Sequence, residues 1–439
     1  MVEVVPIEDP GLGNTSYLVD LGDGSGLVVD PERDPRPYLD AAKRHGLVVR
    51  HVAETHLHAD FVSGARELVA AGASLIAPRG SRLAHPHRAV GEGDELEVGD
   101  VTLQVIDTPG HTPEHVAYLL REGVTPMVLF SGGTLMAGGV ARPDLISSDL
   151  TVPLAHQAYQ SVRRLLGTLP DEVVVRPTHG GGSFCSSAGA AGPGASTVGS
   201  EKLTHPAVSA PDANRFVDDL LAGLGTYPPY FHRLREVNRL GPQTFGIDLP
   251  QLAPVGDFEG ATLVDARPID RFARGHIPGS VSVELRDSFG TWLGWLFEPD
   301  IPLVFVLDPD QDERELVRQA LNVGLEKLAG RISVDDWADS GESLAVIDLI
   351  RPDQIEPESP ILDVRQESEW EMGHVPIASH IELGDLIRSV GLAGPGSVVH
   401  CGHGQRAMTA ASLLARAGNP AAGVTTANHL EITQAIGRT

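Results

Sequence analysis

Three short segments place imidazoles and a carboxylate at spacings that suit a metal ion. They are Thr55-His56-Leu57-His58-Ala59-Asp60-Phe61, Thr108-Pro109-Gly110-His111-Thr112 and Pro177-Thr178-His179-Gly180. His56 and His58 are two apart at the end of an expected strand over 48–54, and residues i and i+2 of an extended segment point the same way. Both imidazoles can therefore reach one ion. His111 lies in a Pro-Gly turn after an expected strand over 101–107, a suitable place for a third ligand. Neutral imidazoles converging from strand ends suit zinc or iron. Three unrelated surface or capping histidines would be the bland account, and the combined spacing argues against it. His85, His87 and His115 are read as non-ligands, His115 as a donor standing behind the ligands.

A second chemistry is carried by Val398-Val399-His400-Cys401-Gly402-His403-Gly404-Gln405-Arg406-Ala407. A strand runs into Cys401 and a helix is expected from Ala407. Gly402 and Gly404 allow a tight loop whose backbone N–H groups, with those of His403 and Gln405, turn inward as an anion cradle. A thiolate in such a cradle, with the Arg406 charge at the loop's end, is expected to form readily and react as a nucleophile. The other cysteine, Cys185, follows Gly180-Gly181-Gly182-Ser183-Phe184 just beyond His179. It is either a substrate-binding thiol beside the metal-like constellation or a small buried residue.

The elements that must position these groups follow from pattern and composition. Residues 1–180 alternate short strands (2–7, 17–21, 26–30, 48–54, 74–77, 101–107, 115–120, 127–130, 173–176) with helices (35–45, 61–71, 152–166), the signature of a layered α/β domain. A long Gly/Ala/Ser-rich loop is expected over 180–211, a helix near 212–224, and a linker from Gly241-Pro242. The second half is duplicated: Asp265/Asp363, Arg267/Arg365, Gly275/Gly373, His276/His374, Pro278/Pro376 and Leu285/Leu383 pair at an offset of 98. That period describes a repeated domain rather than a solenoid unit. The first copy has Leu307-Asp308-Pro309-Asp310 where the cysteine loop should be, and an aromatic cluster, Trp292, Trp295 and Phe297. The expected domains are 1–245, 250–345 and 350–439.

At 439 residues and a net charge of −26, the chain is set against nucleic acid and anionic membrane surfaces as partners. No apolar run approaches a membrane span, and the N-terminus shows no secretion signal. Two well separated cysteines make no disulfide framework, so a cytoplasmic setting is expected.

The histidine segments resemble the metallo-β-lactamase fold, an αββα sandwich. His56, His58 and His111 match its first-metal histidines, and Asp60 and His179 match second-metal positions. Phe61 and Gly133 stand where that family has a further histidine and a bridging aspartate, so Asp60 and His179 are vestiges of the second site. Gly139-Val140-Ala141-Arg142-Pro143-Asp144 and Ser196-Thr197-Val198-Gly199-Ser200-Glu201-Lys202 are similar to the persulfide dioxygenase branch, whose iron ligands correspond to His56, His111 and position 133. The segments Leu362-Asp363-Val364-Arg365 and Gly373-His374-Val375-Pro376, with the Cys401 loop, resemble the rhodanese domain, and the first copy resembles one that cannot carry sulfur. Four residues between Cys401 and Arg406 look like the sulfur-handling type, since phosphatases use a longer loop.

The resemblance thus implies two rhodanese-like α/β domains behind a metallo-β-lactamase sandwich, as in bacterial persulfide dioxygenase–sulfurtransferase fusions. It implies persulfide oxidation and sulfur transfer through Cys401 with Arg406. Partners would be low-molecular-weight thiol persulfides, thiosulfate or sulfite, and a homo-oligomer is expected. The residues leave three outcomes for the metal: one Fe(II) or one Zn(II) at His56, His58 and His111, or none. The alternatives are a sulfurtransferase with a non-catalytic N-terminal scaffold and a mononuclear zinc hydrolase of thioesters.

Overall fold

The computed structural model describes residues 2–187, 195–256 and 258–437. The chain divides into two compact units, Met1–Pro250 with Leu321–Gly324, and Gln251–Ala320 with Leu325–Thr439. Among the described residues no helix is long and apolar enough to cross a membrane.

The first unit holds two six-stranded sheets. One runs in sequence order through β1 (Val4–Asp9), β2 (Asn14–Asp20), β3 (Ser25–Val29), β4 (Val48–Ala53), β5 (Ser74–Pro78) and β6 (Arg88–Val90). The other contains β7 (Glu95–Val98), β8 (Val101–Asp107), β9 (Val116–Glu122), β10 (Thr125–Gly132), β11 (Val174–Pro177) and β12 (Ser196–Thr197), also adjacent in sequence order.

Both faces of each sheet are apolar. Tyr17, Val19, Leu27 and Val29 meet Val116, Tyr118, Leu120 and Phe130 in the core between the sheets. The intervening Leu18 and Val28 pack outward on Tyr38, Ala41, Ala65 and Leu68 of the helices Arg36–Arg44 and Ala65–Ala70. Ala117, Leu119 and Leu129 pack outward on Val162, Leu165 and Leu166 of the helix Ser148–Thr168. The two-residue period of the strands thus sends alternate side chains to two cores, which produces the expected αββα layering.

Several elements differ from expectation. The helix expected from 61 begins at Ala65, because the backbone from His58 to Ser63 is held by the Asn238 side chain: Asn238 Nδ2 donates to the carbonyls of His58 and Phe61, and the Ser63 N–H donates to Asn238 Oδ1. Asn238 itself belongs to an unanticipated helix, Phe231–Leu240. The expected loop over 180–211 contains β12 and the helices Val198–Thr204 and Pro206–Ser209; its residues 188–194 lie outside the described residues. Thr197 caps the first of these helices by a reciprocal exchange with Ser200, a start signal hidden by the small-residue composition around it.

The second unit contains two parallel four-stranded sheets of the same order. The first is β14-β13-β15-β16, with β13 (Thr262–Asp265), β14 (Val281–Ser282), β15 (Leu303–Val306) and β16 (Leu328–Ile332). The second is β18-β17-β19-β20, with β17 (Ile361–Asp363), β18 (Ser379–His380), β19 (Val398–His400) and β20 (Gly423–Thr425). The register aligns the copies: Asp265 pairs with Val306, and Asp363 with His400. Leu307 therefore stands where Cys401 stands. Trp292, Trp295 and Phe297 are buried in the interior, with Trp295 in close contact with Gly384 of the second copy.

Candidate metal centre and cysteine loop

The strand ends of the first unit deliver a buried histidine cluster. β4 leads into Glu54 to Phe61, β8 into the turn that carries His111, and β11 into Thr178 and His179. His56, His111 and His179 each offer a nitrogen within 4.8 Å of the others.

Hydrogen bonding fixes how these rings are protonated. His111 Nδ1 lies 2.7 Å from the Arg142 carbonyl oxygen, which can only accept. Asn14 Nδ2 donates to Asp60 at 2.7 Å, leaving Asn14 Oδ1 to accept from His179 Nδ1 at 2.9 Å. Thr55 Oγ1 donates to Asp30 at 2.7 Å and so accepts from His56 Nδ1 at 2.8 Å. Each ring carries its proton on Nδ1, and each Nε2 keeps a lone pair. Burial, with the neighbouring imidazoles, holds His56 and His111 well below the usual histidine range, in the neutral form that ligates metals.

The Nε2 atoms of His56 and His179 are 3.3 Å apart, and His111 Nε2 is buried without a hydrogen-bond partner. Bare lone pairs at that distance repel. Two nitrogens at 2.0–2.1 Å from one tetrahedral zinc are likewise separated by about 3.3 Å. The donor set therefore fits a single divalent ion.

His58 is positioned differently from the expectation that it completes this set. Its Nε2 sits 3.2 Å from Asp30 Oδ1 and 3.0 Å from Glu54 Oε2. Burial disfavours the imidazolium, but the two carboxylates overcome it and raise His58 to about 10. Phe61, fully buried, stacks on the same ring at 4.3 Å. His179, expected to be a vestige, is the histidine brought to His56 and His111. Asp60 lies on the Nδ1 side of His179, at 3.4 Å, with its Oδ1 buried and unpartnered. Burial opposes its charge, but His179, His58 and Asn14 hold it well below the usual carboxylate range.

Position 133 lacks more than a carboxylate. A β-carbon there would lie 2.7 Å from Ala141 Cβ and 3.0 Å from His111 Cδ2. The Gly133 N–H donates to His115 Nε2 at 2.9 Å, so His115 is occupied behind the site, as expected of a non-ligand. Cys185 is fully buried; burial, then the Asp60 charge, push its thiol well above the usual range. That environment suits a spectator, not a reactive thiol at an open mouth.

Asp30, Glu54, Asn14 and Thr55 were missed by sequence reasoning. Asp30 alone carries a readable signal, as a polar residue directly after the apolar β3, where a positive φ of 50° turns it into the site.

In the second unit, Cys401 follows β19 and precedes the helix Gln405–Arg416. Gly404 adopts φ 96°, and a β-carbon there would collide with Thr426 and with Ile269 of the first copy. Among the described residues, the N–H groups of Gly402, His403, Gly404 and Gln405 find no acceptor in the protein, which leaves them for an anion at the helix N-terminus. His403 is exposed and Cys401 is buried.

Arg406 is not free: it donates twice to Glu369, at 2.5 and 2.8 Å, and to the Cys401 carbonyl at 3.4 Å. It braces the loop and also sets its charge beside the Cys401 thiol, as expected of it. His400, unremarked in the sequence, lies buried 3.3 Å from Asp363 Oδ2, and Asp363 also accepts from Arg365 at 2.6 Å. The first copy has Val306 in place of His400.

Comparison with known proteins bears on both units. The metallo-β-lactamase superfamily model matches residues 9–179, and the rhodanese-like domain model matches 253–331 and 348–428. A hydroxyacylglutathione hydrolase of Methylobacillus flagellatus is 38% identical over 32% of this chain and 55% of its own length. The chain thus spans little more than half of that curated relative. A metallo-β-lactamase structure from Staphylococcus aureus is 27% identical with a TM-score of 0.68, covering 76% of this chain and 99% of the other. ETHE1 from Myxococcus xanthus is 26% identical with a TM-score of 0.47, over 54% of this chain and 98% of its own. The chain therefore carries a metallo-β-lactamase-superfamily domain followed by rhodanese-like domains.

Proposed function

We propose that the protein acts in sulfide and persulfide metabolism and moves sulfane sulfur through Cys401. The observation that carries this reading is the Cys401 loop: a thiol at a strand end, followed by four backbone N–H groups that find no protein acceptor among the described residues, at the start of a twelve-residue helix. In the transfer, the Cys401 thiolate attacks the outer sulfur of thiosulfate. The S–S bond breaks, and sulfite leaves with the bonding electron pair. An acceptor thiolate then attacks the outer sulfur of the Cys401 persulfide, and Cys401 leaves as a thiolate. The loop N–H groups bind the anionic sulfur in each step. Arg406, braced on Glu369, positions the loop.

The N-terminal domain would hold one Fe(II) or Zn(II) on its imidazoles. Bound there, the ion supplies Lewis acidity and, as iron, redox chemistry. Asp30 and Glu54 fix the proton on His58, Phe61 covers that ring, and the buried cluster excludes bulk water. Low-molecular-weight thiol persulfides are the substrates we assign to this domain, as in a persulfide dioxygenase. A mononuclear hydrolase of thioesters is the second reading. It is favoured by the absence of a carboxylate at Gly133, by the lack of room for one, and by the printed name of the hydrolase relative.

Thiosulfate:cyanide and persulfide:thiol transfer by Cys401→Ser test the main reading, which expects loss of both. Transfer equal to that of the parent protein overturns it. Oxygen uptake with glutathione persulfide, set against hydrolysis of a glutathione thioester, separates the two readings of the N-terminal domain.

A further inference from the structure

We propose that the N-terminal domain binds a single divalent ion of the zinc and iron class through Nε2 of His56, His111 and His179. In this assignment His179 takes the place that the HxH spacing gives to His58. The assignment concerns metal binding alone and is independent of sulfur transfer at Cys401.

Four observations carry it. The three imidazoles are buried and bring their nitrogens within 4.8 Å of one another. Each Nδ1 is tied to a different acceptor, Thr55, Arg142 or Asn14, so each ring is fixed in both tautomer and direction before any ion arrives. The Nε2 atoms of His56 and His179 already stand at ligand spacing, 3.3 Å. The Nε2 of His111 is an unpartnered buried nitrogen.

A competing set, His58, Asp60 and His179, also lies within 4.8 Å. It fits less well. Asp60 approaches His179 from the Nδ1 side, and that nitrogen is spent on Asn14. His58 turns its Nε2 to two buried carboxylates and has only its unpartnered Nδ1 to offer; among the described residues it joins Asp60 and His179 within 4.8 Å, but not His56 and His111. Both sets need His179, and its one free lone pair serves one ion. Asp60 then acts as an uncoordinated negative charge beside the site, held by Asn14 at 2.7 Å. That supplies from outside the coordination sphere the charge compensation that position 133 cannot.

The test loads the full-length protein with Zn(II) and measures stoichiometry and affinity. One equivalent per chain is expected. His179→Gln, His56→Gln and His111→Gln should each weaken binding by more than about 100-fold, beyond the loss of an outer-shell partner. His58→Gln should retain one equivalent. Retention in His56→Gln and His111→Gln, or loss in His58→Gln with retention in His179→Gln, overturns the assignment. Should a variant fail to fold, nitrogen-15 correlation spectra of the unmodified zinc-loaded protein decide. Three zinc-bound rings protonated on Nδ1 support the assignment; a zinc-bound ring protonated on Nε2 overturns it.

Discussion

Gly133 and Ala141 face each other so closely that a β-carbon on the first would lie 2.7 Å from that of the second. The two backbones are also joined, the Ala141 N–H donating to the Gly133 carbonyl at 2.7 Å. A carboxylate at 133 is the obvious repair for a centre that lacks one, and this pair opposes it. Gly133→Asp alone should cost about 1–3 kcal/mol through overpacking and bring no gain in metal affinity. Gly133→Asp with Ala141→Gly should recover most of that stability and tighten Fe(II) binding. Thermal unfolding and metal titration of both variants check this; a single substitution that is tolerated and binds iron more tightly refutes it.

The same pair shows what a linear reading misses. The missing aspartate is legible at 133, because one residue type is absent from a known pattern. The residue that crowds that position, Ala141, lies eight residues on in a segment that is itself recognisable, and nothing in the sequence shows that the two touch. The strands were legible for the opposite reason. Their alternation is set by the pleat, so Leu18 and Val28 had to face away from Tyr17 and Val29. His58 and His179 fall between these cases. Spacing says that His56 and His58 share a side, but Asp30 and Glu54, one strand away and four residues back, decide where the His58 ring goes. The Cys401 loop was readable because its glycines, thiol and helix start are contiguous, whereas the Glu369 brace on Arg406 was not.

The two cysteines should differ in reactivity. Cys185 is fully buried against Asp60, with its thiol pushed well above the usual range. In the folded protein at neutral pH, iodoacetamide should label Cys401 and leave Cys185 untouched until denaturant is added, because the thiolate is the nucleophile. Peptide mass spectrometry of a labelling time course reads this directly. Early labelling of Cys185 would return it to the candidate substrate-binding residues.

Asp363 should make the last domain acid-sensitive. Burial disfavours its charge, but His400 and Arg365 hold it well below the usual carboxylate range. Its folded value lies below its unfolded value, near 3.9. The linked stability is therefore fully present above about pH 4–5 and is lost as the pH falls further. Asp363→Asn leaves the buried Arg365 without its counter-charge and His400 without its carboxylate contact, and should cost about 3–5 kcal/mol. Asp265, its counterpart, has Arg267 but Val306 in place of the histidine, and burial raises it instead. Asp265→Asn should cost clearly less. Equal losses in the two variants, measured by denaturant unfolding, would show that the His400 contact contributes nothing.

The first rhodanese-like copy should transfer no sulfur even when given a thiol. Leu307 occupies the position of Cys401, so Leu307→Cys puts sulfur at the matching strand end. The loop that follows is built against an anion. Pro309 has no N–H, and the Asp308 N–H is already spent on Gln311 Oε1 at 3.0 Å. Gln311 in turn donates its N–H to the Asp308 carbonyl at 3.1 Å, so the segment closes on itself where the Cys401 loop leaves its amides open. Asp308 and Asp310 bring two carboxylates, which Arg271 offsets at 2.5 and 3.7 Å, and carboxylates beside a thiol disfavour its ionised form. In a Cys401→Ser background, Leu307→Cys should restore no thiosulfate:cyanide transfer and should alkylate slowly at neutral pH. Recovery of transfer would mean that a thiol at a strand end suffices, and that the open amides of Gly402 to Gln405 are not required.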